Sequence, residues 1–223
     1  MGVTSCGHGT TATERAAAVR SRQARAAARR AGLPADVQTF VARYARVVGE
    51  TFTVTYASGT PGEGEVVLAQ RPPDKRLDIS TTLNGRTVTR SLFVTRTNSY
   101  SCLRDQSGTW SCSRTADQPN QLGPLAAADV TRTVDALKQS RTDYDFHIGA
   151  RPIARVTATC LVTTPRKPAP SAPPPASLCL SPEGAPLLVE GSGQALRAVK
   201  YSTRVDGHRF DLPAAPSLST AGP

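Results

Sequence analysis

No apolar run reaches roughly eighteen residues, the minimum for a helix that crosses a bilayer, anywhere in this 223-residue chain. Cys-x-x-Cys is absent, and histidine is limited to His8, His147 and His208. Zinc sites draw closely spaced Cys and His ligands, so no metal site of that kind is expected. Gly-x-Ser-x-Gly, His-Glu-x-x-His and phosphate-cradling glycine loops are also missing, which leaves no support for an enzyme or for a bound cofactor. Acidic residues are in short supply, with 17 Asp and Glu against 27 Lys and Arg and a net charge of +10. A field of that sign favours anionic partners.

Cysteine is sparse but arranged. Cys102 and Cys112 flank a short Gly-containing turn, Cys160 and Cys179 flank a proline-rich stretch, and Cys6 stands alone. The two close pairs are expected as disulfides, which belong to oxidising compartments and are rare in the cytosol. The odd cysteine then needs its own account. Val3-Thr4-Ser5-Cys6 resembles a bacterial lipobox, in which the cysteine is acylated. Cys6 is therefore expected as a lipidation site, and the soluble part as extracytoplasmic and anchored to the cell membrane. A signal peptide belongs ahead of such a motif, and Met1-Gly2 is too short to supply its basic and apolar regions.

Residues 1–33 are expected to form this N-terminus and a tether. Thr13 to Ala31 is rich in alanine and arginine, both strong helix formers, and Gly32-Leu33-Pro34 ends it. The helix lacks an apolar stripe on the usual pattern, so burial of a face is not expected. Beside an acylated Cys6, its arginines would meet anionic lipid, each gaining about 1 kcal/mol; otherwise the segment is a solvated spacer. No aromatic residues interleave with the arginines to stack bases, so nucleic acid is not an expected partner.

A domain is expected over 34–213. Val37, Phe40, Val41, Tyr44, Val47 and Val48 follow helical spacing. Strands are expected at Thr51 to Tyr56, Glu65 to Gln70, Lys75 to Leu83 and Arg86 to Thr95, the last two joined by Asn84-Gly85, a strong hairpin signal. If Cys102 faces Cys112, then Arg104 faces Trp110, and Gln106-Ser107-Gly108 remains as a three-residue loop with glycine where a left-handed residue is wanted. Turn chemistry and cysteine spacing thus agree on one register, and a bridge there stabilises by under ~3 kcal/mol.

A second helix is expected over Leu125 to Gln139, with Ala126, Val130, Val134 and Leu137 on one side. Further strands are expected at Asp143 to Ala150, Ile153 to Thr163, Leu178 to Leu180, Pro186 to Glu190 and Gln194 to Val205. A loop over 164–177 carries six prolines between Pro165 and Pro175, a composition that forbids ladder pairing. Cys160 and Cys179 would close its base. Residues 214–223 are expected as a disordered tail. The order of elements defines an α+β fold on an antiparallel meander.

Phe52-Thr53-Val54-Thr55-Tyr56, Gly64-Glu65-Val66-Val67-Leu68 and Arg71-Pro72-Pro73-Asp74-Lys75-Arg76-Leu77 resemble the opening of the Lol-type (LolA/LolB-like) lipoprotein carriers. Leu178-Cys179-Leu180-Ser181, Pro186-Leu187-Leu188 and Phe210-Asp211-Leu212-Pro213 are similar to the close of that superfamily. Its actinobacterial lipid-binding lipoproteins of the LppX/LprG type are the nearer comparison. The resemblance implies a strongly curved antiparallel sheet, an unclosed β-barrel, with helices against its concave face and a hydrophobic cavity for a lipid or other apolar ligand. Arg76 matches the arginine that holds the helical lid in carriers, although Leu77 stands where the motif has an aromatic. Phe40, Tyr44, Phe52, Val54, Arg76, Leu77, Ile79 and Phe93 are the expected ligand-binding residues; an ordinary packed core is the competing account of the apolar ones. The alternative function is a non-catalytic sensor or interaction module on the same fold, binding a partner protein as periplasmic regulators do. A monomer is expected in either case. Asp143, Asp145 and His147 share a strand face and are the best constellation for a cation, but such a row is more often a solvated face.

Overall fold

The computed structural model describes residues 12–57, 64–115, 130–167, 175–191 and 194–217. Cys6, Leu125, Ala126, most of the proline-rich loop and the last residues of the tail lie outside them.

Three helices and twelve strands make up the described fold. Helix α1 (Ala12–Arg30) and helix α2 (Ala35–Tyr44) are followed by a 3-10 turn at Val47–Gly49. Six strands come next: β1 (Phe52–Ala57), β2 (Gly64–Arg71), β3 (Asp74–Leu83), β4 (Arg86–Val94), β5 (Ser99–Arg104) and β6 (Trp110–Thr115). Helix α3 (Val130–Ser140) leads to β7 (Tyr144–Ile153), β8 (Val156–Pro165), β9 (Ala176–Leu180), β10 (Pro186–Gly191) and β11 (Gln194–Ser202). A 3-10 turn at Gly207–Phe210 and the short β12 (Pro216–Ser217) complete the chain.

All twelve strands belong to one sheet, ordered β12-β6-β5-β4-β3-β2-β1-β11-β10-β9-β8-β7. Every pairing is antiparallel except β12 with β6. The sheet curves without closing, because β7 pairs with β8 alone and β12 with β6 alone. The expected α+β half-barrel is the observed fold.

Local chemistry accounts for the joints. Asn84 and Gly85 take φ of 51° and 74° in the β3–β4 turn, the left-handed pair that a two-residue hairpin needs. Cys102 faces Cys112 and Arg104 faces Trp110, with Gly108 at φ 87°; this is the register that the cysteine spacing predicts. Helix α1 ends as glycine dictates. The Leu33 amide donates to the Ala28 carbonyl (3.1 Å) and Gly32 to Arg29 (3.0 Å), while Gly32 sits at φ 71°. That bond pair is a Schellman cap, and Leu33 packs with Ala28 inside the core as such caps favour.

Helix α1 corrects the expectation of a tether outside the domain. Ala17, Ala24, Ala28 and Ala31 are buried, and the last three join the main core beside α2 and α3. These positions follow helical spacing, but the stripe is built of alanine. Small side chains bring the helices close and bury backbone and methyl groups rather than long chains. The opposite face carries exposed Arg22, Arg25, Arg29 and Arg30.

The tail expectation also changes. Leu212 and Ala214 pack beneath the sheet's other face, and Pro216 and Ser217 pair with Cys112 and Ser113. Residues 212–217 thus belong to the fold.

Candidate functional site

Alternation along the strands divides the sheet into two faces. One face carries Phe52, Val54 and Tyr56 of β1, Leu68 of β2, Leu77 of β3 and Leu92 of β4, all in the main core. Helix α2 roofs it with Val37, Phe40, Val41 and Tyr44, and α3 adds Val134 and Leu137. The Arg43 guanidinium donates to the Thr159 hydroxyl and pins the end of α2 to β8. Gly184, at φ 96°, lets the β9–β10 turn approach the same helix end, where a Cβ would lie 2.7 Å from the Arg43 carbonyl. Tyr56 donates its hydroxyl to the Pro186 carbonyl at 2.6 Å. Burial pushes the Tyr56 hydroxyl far above its ordinary range, so it remains a neutral donor.

Of the expected ligand-lining residues, Phe40, Tyr44, Phe52, Val54 and Leu77 come together in this interior. Ile79 shares the face of Leu77, two residues along the strand, but is 37% exposed beyond the roof. Arg76 and Phe93 do not join them. They face each other across β3 and β4 and point to the opposite side of the sheet, where Phe93 packs with Cys102, Cys112, Leu212 and Ala214.

There Arg76 performs a different task. Its guanidinium lies 4.7 Å from the centre of the Phe93 ring, donates to Asp78 at 2.7 Å and donates to the Arg209 carbonyl at 2.8 Å. Asp78 also accepts from Ser91 at 2.6 Å and from Arg209 at 3.0 Å. Nearby, Arg71 covers the Phe210 ring at 4.9 Å. Arg76 therefore straps the C-terminal segment to the sheet, where the carrier resemblance has it hold a helical lid. Period two explains the difference: Arg76 and Leu77 are consecutive and cannot share a face.

Gln70 closes one end of the apolar interior, donating to the carbonyls of Val47 and, at 2.8 Å, of Glu50. Lys75 pairs with Gln70 across the ladder. Burial lowers its ammonium pKa to about 8, a shift that the sequence does not announce.

The row at Asp143, Asp145 and His147 is exposed, and Tyr144, Phe146 and Ile148 alternate with it on the half-buried side. Arg166 holds Asp145 at 2.9 Å. Among the described residues, no group of three or more His, Cys, Asp or Glu side chains is placed to hold a metal ion.

Both disulfides are present, Cys102–Cys112 between β5 and β6 and Cys160–Cys179 between β8 and β9. All four cysteines are buried, so the bridges are structural. Paired cysteines of this kind belong to a compartment outside the reducing cytoplasm. No helix among the described residues is long and apolar enough to cross a membrane.

A concavity lies at the edge of the interior, bordered by Ala154 and Tyr201, which pack against the main core. The β7–β8 turn, at Ala154 and Arg155, overhangs β1 and β11 and encloses a groove of about 640 Å³ lined by Thr53, Thr55, Lys200, Tyr201, Ser202 and Arg204 among others. The sequence reading breaks these strands near Pro152 instead and does not see the groove.

No protein-family model matches this chain, and no curated protein does. Among solved structures, it is similar to MucB in the crystal structure of its complex with MucA(peri), at 16% identity and a TM-score of 0.36. That match covers 73% of this chain and 53% of the other, so the chain spans about half the length of the matched structure.

Proposed function

We propose that the protein is a membrane-anchored extracytoplasmic lipoprotein of the Lol-type carrier kind, which shelters a lipid or other apolar ligand and acts by binding, without catalysis. The observation that carries this reading is the unclosed sheet with an apolar face roofed by helices. A closed barrel admits a ligand only through its ends. Here a shift of the helices over the open side would leave the ladder intact and open a space lined by Phe40, Tyr44, Phe52, Val54 and Leu77, which are packed together in the core. Helix α1 supports the anchoring half of the proposal. Its alanine face is in the core and its arginine face points outward, so an acyl group on Cys6 would bring those arginines against anionic lipid. One acyl signal plus a polybasic patch makes stable attachment.

The ligand claim is tested by titrating the delipidated protein with cis-parinaric acid, a fluorescent fatty acid. The proposal predicts saturable, one-to-one enhancement that weakens at least tenfold in Tyr44→Asp, with the fold verified by circular dichroism. Unsaturable or absent enhancement contradicts it. The anchor is tested by fractionating cells that express the full gene product. Cys6→Ser should move the protein from membrane to soluble fractions, and equal partitioning of the two forms sinks the lipidation claim.

A second reading, an interaction module for a partner protein, is favoured by strand β7. Its ten residues pair only on the β8 side, and a long unpaired edge accepts an extended segment from another chain. A fully folded protein that binds no apolar probe would favour this reading.

A further inference from the structure

The groove beneath the β7–β8 turn combines two features with no role in the interior described above. The first is its charge. Arg155, Lys200 and Arg204 line it together with the hydroxyl-bearing Thr53, Thr55 and Ser202. None of the three cations forms an ion pair with a described carboxylate. The carboxylate that touches the lining, Glu183, accepts from the Tyr201 and Ser181 hydroxyls instead. All three are exposed side chains lining one groove, and like charges on a shared concave surface give it a positive potential that favours an anion.

The second feature is the turn. Ala154 and Arg155 adopt φ of 48° and 66°, the left-handed pair of a two-residue hairpin. The same protein builds the β3–β4 turn with Asn84 and Gly85 in that conformation, residues that accept it with little strain. Alanine and arginine accept it poorly. Backbone strain retained at one turn and avoided at another is a mark of a site where the side chain matters. Here the strained residue is the one that brings a guanidinium to the groove.

We propose that this groove binds a phosphate group. Two oxygens of a carboxylate would leave most of these donors unused, whereas the oxygens of a phosphate accept from several cations and hydroxyls at once. The groove is larger than inorganic phosphate, so it has room for an organic group that carries the phosphate. The site borders the apolar interior through Ala154 and Tyr201, but its charged lining does not depend on the lipid-carrier reading.

Isothermal titration of the full chain at low ionic strength tests it, with two probes: glycerol 3-phosphate, and the water-soluble lipid dihexanoylphosphatidylglycerol below its micellar range. At least one should bind saturably, and Arg155→Ala, Lys200→Ala and Arg204→Ala should each weaken it about tenfold while Arg96→Ala leaves it unchanged. Tighter binding of glycerol 3-phosphate identifies a soluble phosphate ester, and tighter binding of the lipid identifies a headgroup; either supports the site. Arg155→Gly separates function from fold. It should raise the melting temperature by relieving the turn while weakening binding about tenfold, as Arg155→Ala does. Absence of binding by both probes, equal losses in Arg96→Ala, or Arg155→Gly with undiminished affinity overturns the proposal.

Discussion

The two faces of one sheet are stabilised by different chemistry. The helix-covered face is aliphatic and aromatic, and its fully buried side chains include Tyr56, Phe52, Val54 and Leu68. Among the described residues, the apolar cluster buried on the far face is Phe93, Cys102 and Cys112, and the C-terminal segment is held over it by Arg76, Asp78 and Arg209. Hydrophobic burial is non-directional and tolerates sliding, whereas hydrogen-bonded ions fix one geometry. The difference teaches that the helix-covered face is held by continuous packing, whereas the C-terminal segment is held over the far face by a few directional contacts.

The largest test of that contrast is truncation of one ring on each face. Phe52→Ala should cost about 3–5 kcal/mol in urea unfolding, because the surrounding core is continuous and cannot collapse into the gap. Phe93→Ala should cost less, below about 3 kcal/mol, since Leu212 and Ala214 lie on a short segment that can settle inward. Equal losses would erase the distinction.

The bridges are what the two regions share, and they come next in size. Cys160–Cys179 spans 19 residues and Cys102–Cys112 spans 10. Loop entropy depends on length only logarithmically, so replacing either pair with alanine should cost roughly 3 kcal/mol, with less than about 1 kcal/mol between them. A large gap in denaturation midpoints would mean that packing around one bridge outweighs chain entropy.

Removing the ionic centre of the strap should have a smaller global effect and a sharper local one. Asp78→Ala removes the carboxylate that both Arg76 and Arg209 donate to, leaving Arg76 the Arg209 carbonyl, and should cost about 1–3 kcal/mol. Hydrogen exchange should accelerate in the segment around Phe210 to Ser217 and stay unchanged in α2. Acceleration in both would join the two regions that the account separates.

The smallest effect is a pH dependence confined to the interior face. The folded-state pKa of Lys75 is lowered from 10.5 to about 8 by burial. Between those values the unfolded chain holds a proton that the folded one has released, so stability rises with pH across that window. Below about pH 8 both states are charged and the burial penalty is present in full. Lys75→Met should therefore stabilise the protein at neutral pH and flatten the rise above pH 8, read from denaturation at several pH values.

Much of the fold is legible in the sequence because strands of this kind announce themselves. Phe52, Val54 and Tyr56 alternate with threonines, Asn84-Gly85 fixes the β3–β4 register, and the cysteine spacing fixes that of β5 and β6. Helix α1 is misjudged because its buried stripe is alanine, which hydrophobic periodicity weighs lightly although it packs well. The grouping of Arg76 and Phe93 with the interior fails for a reason already present in the sequence. Arg76 precedes Leu77 in one strand, and counting from the Asn84-Gly85 turn sets Phe93 opposite Arg76. The groove at Arg155 is invisible beforehand, because a left-handed turn made of Ala-Arg carries no turn signal at all.

Native mass spectrometry of the protein, exported with its disulfides formed and purified without detergent, tests the central claim most directly. A lipid-binding interior predicts a population heavier than the polypeptide by the mass of a cellular lipid, released on denaturation and lost in Tyr44→Asp. A single bare polypeptide mass from folded, oxidised protein, unchanged after incubation with phospholipid, would contradict it.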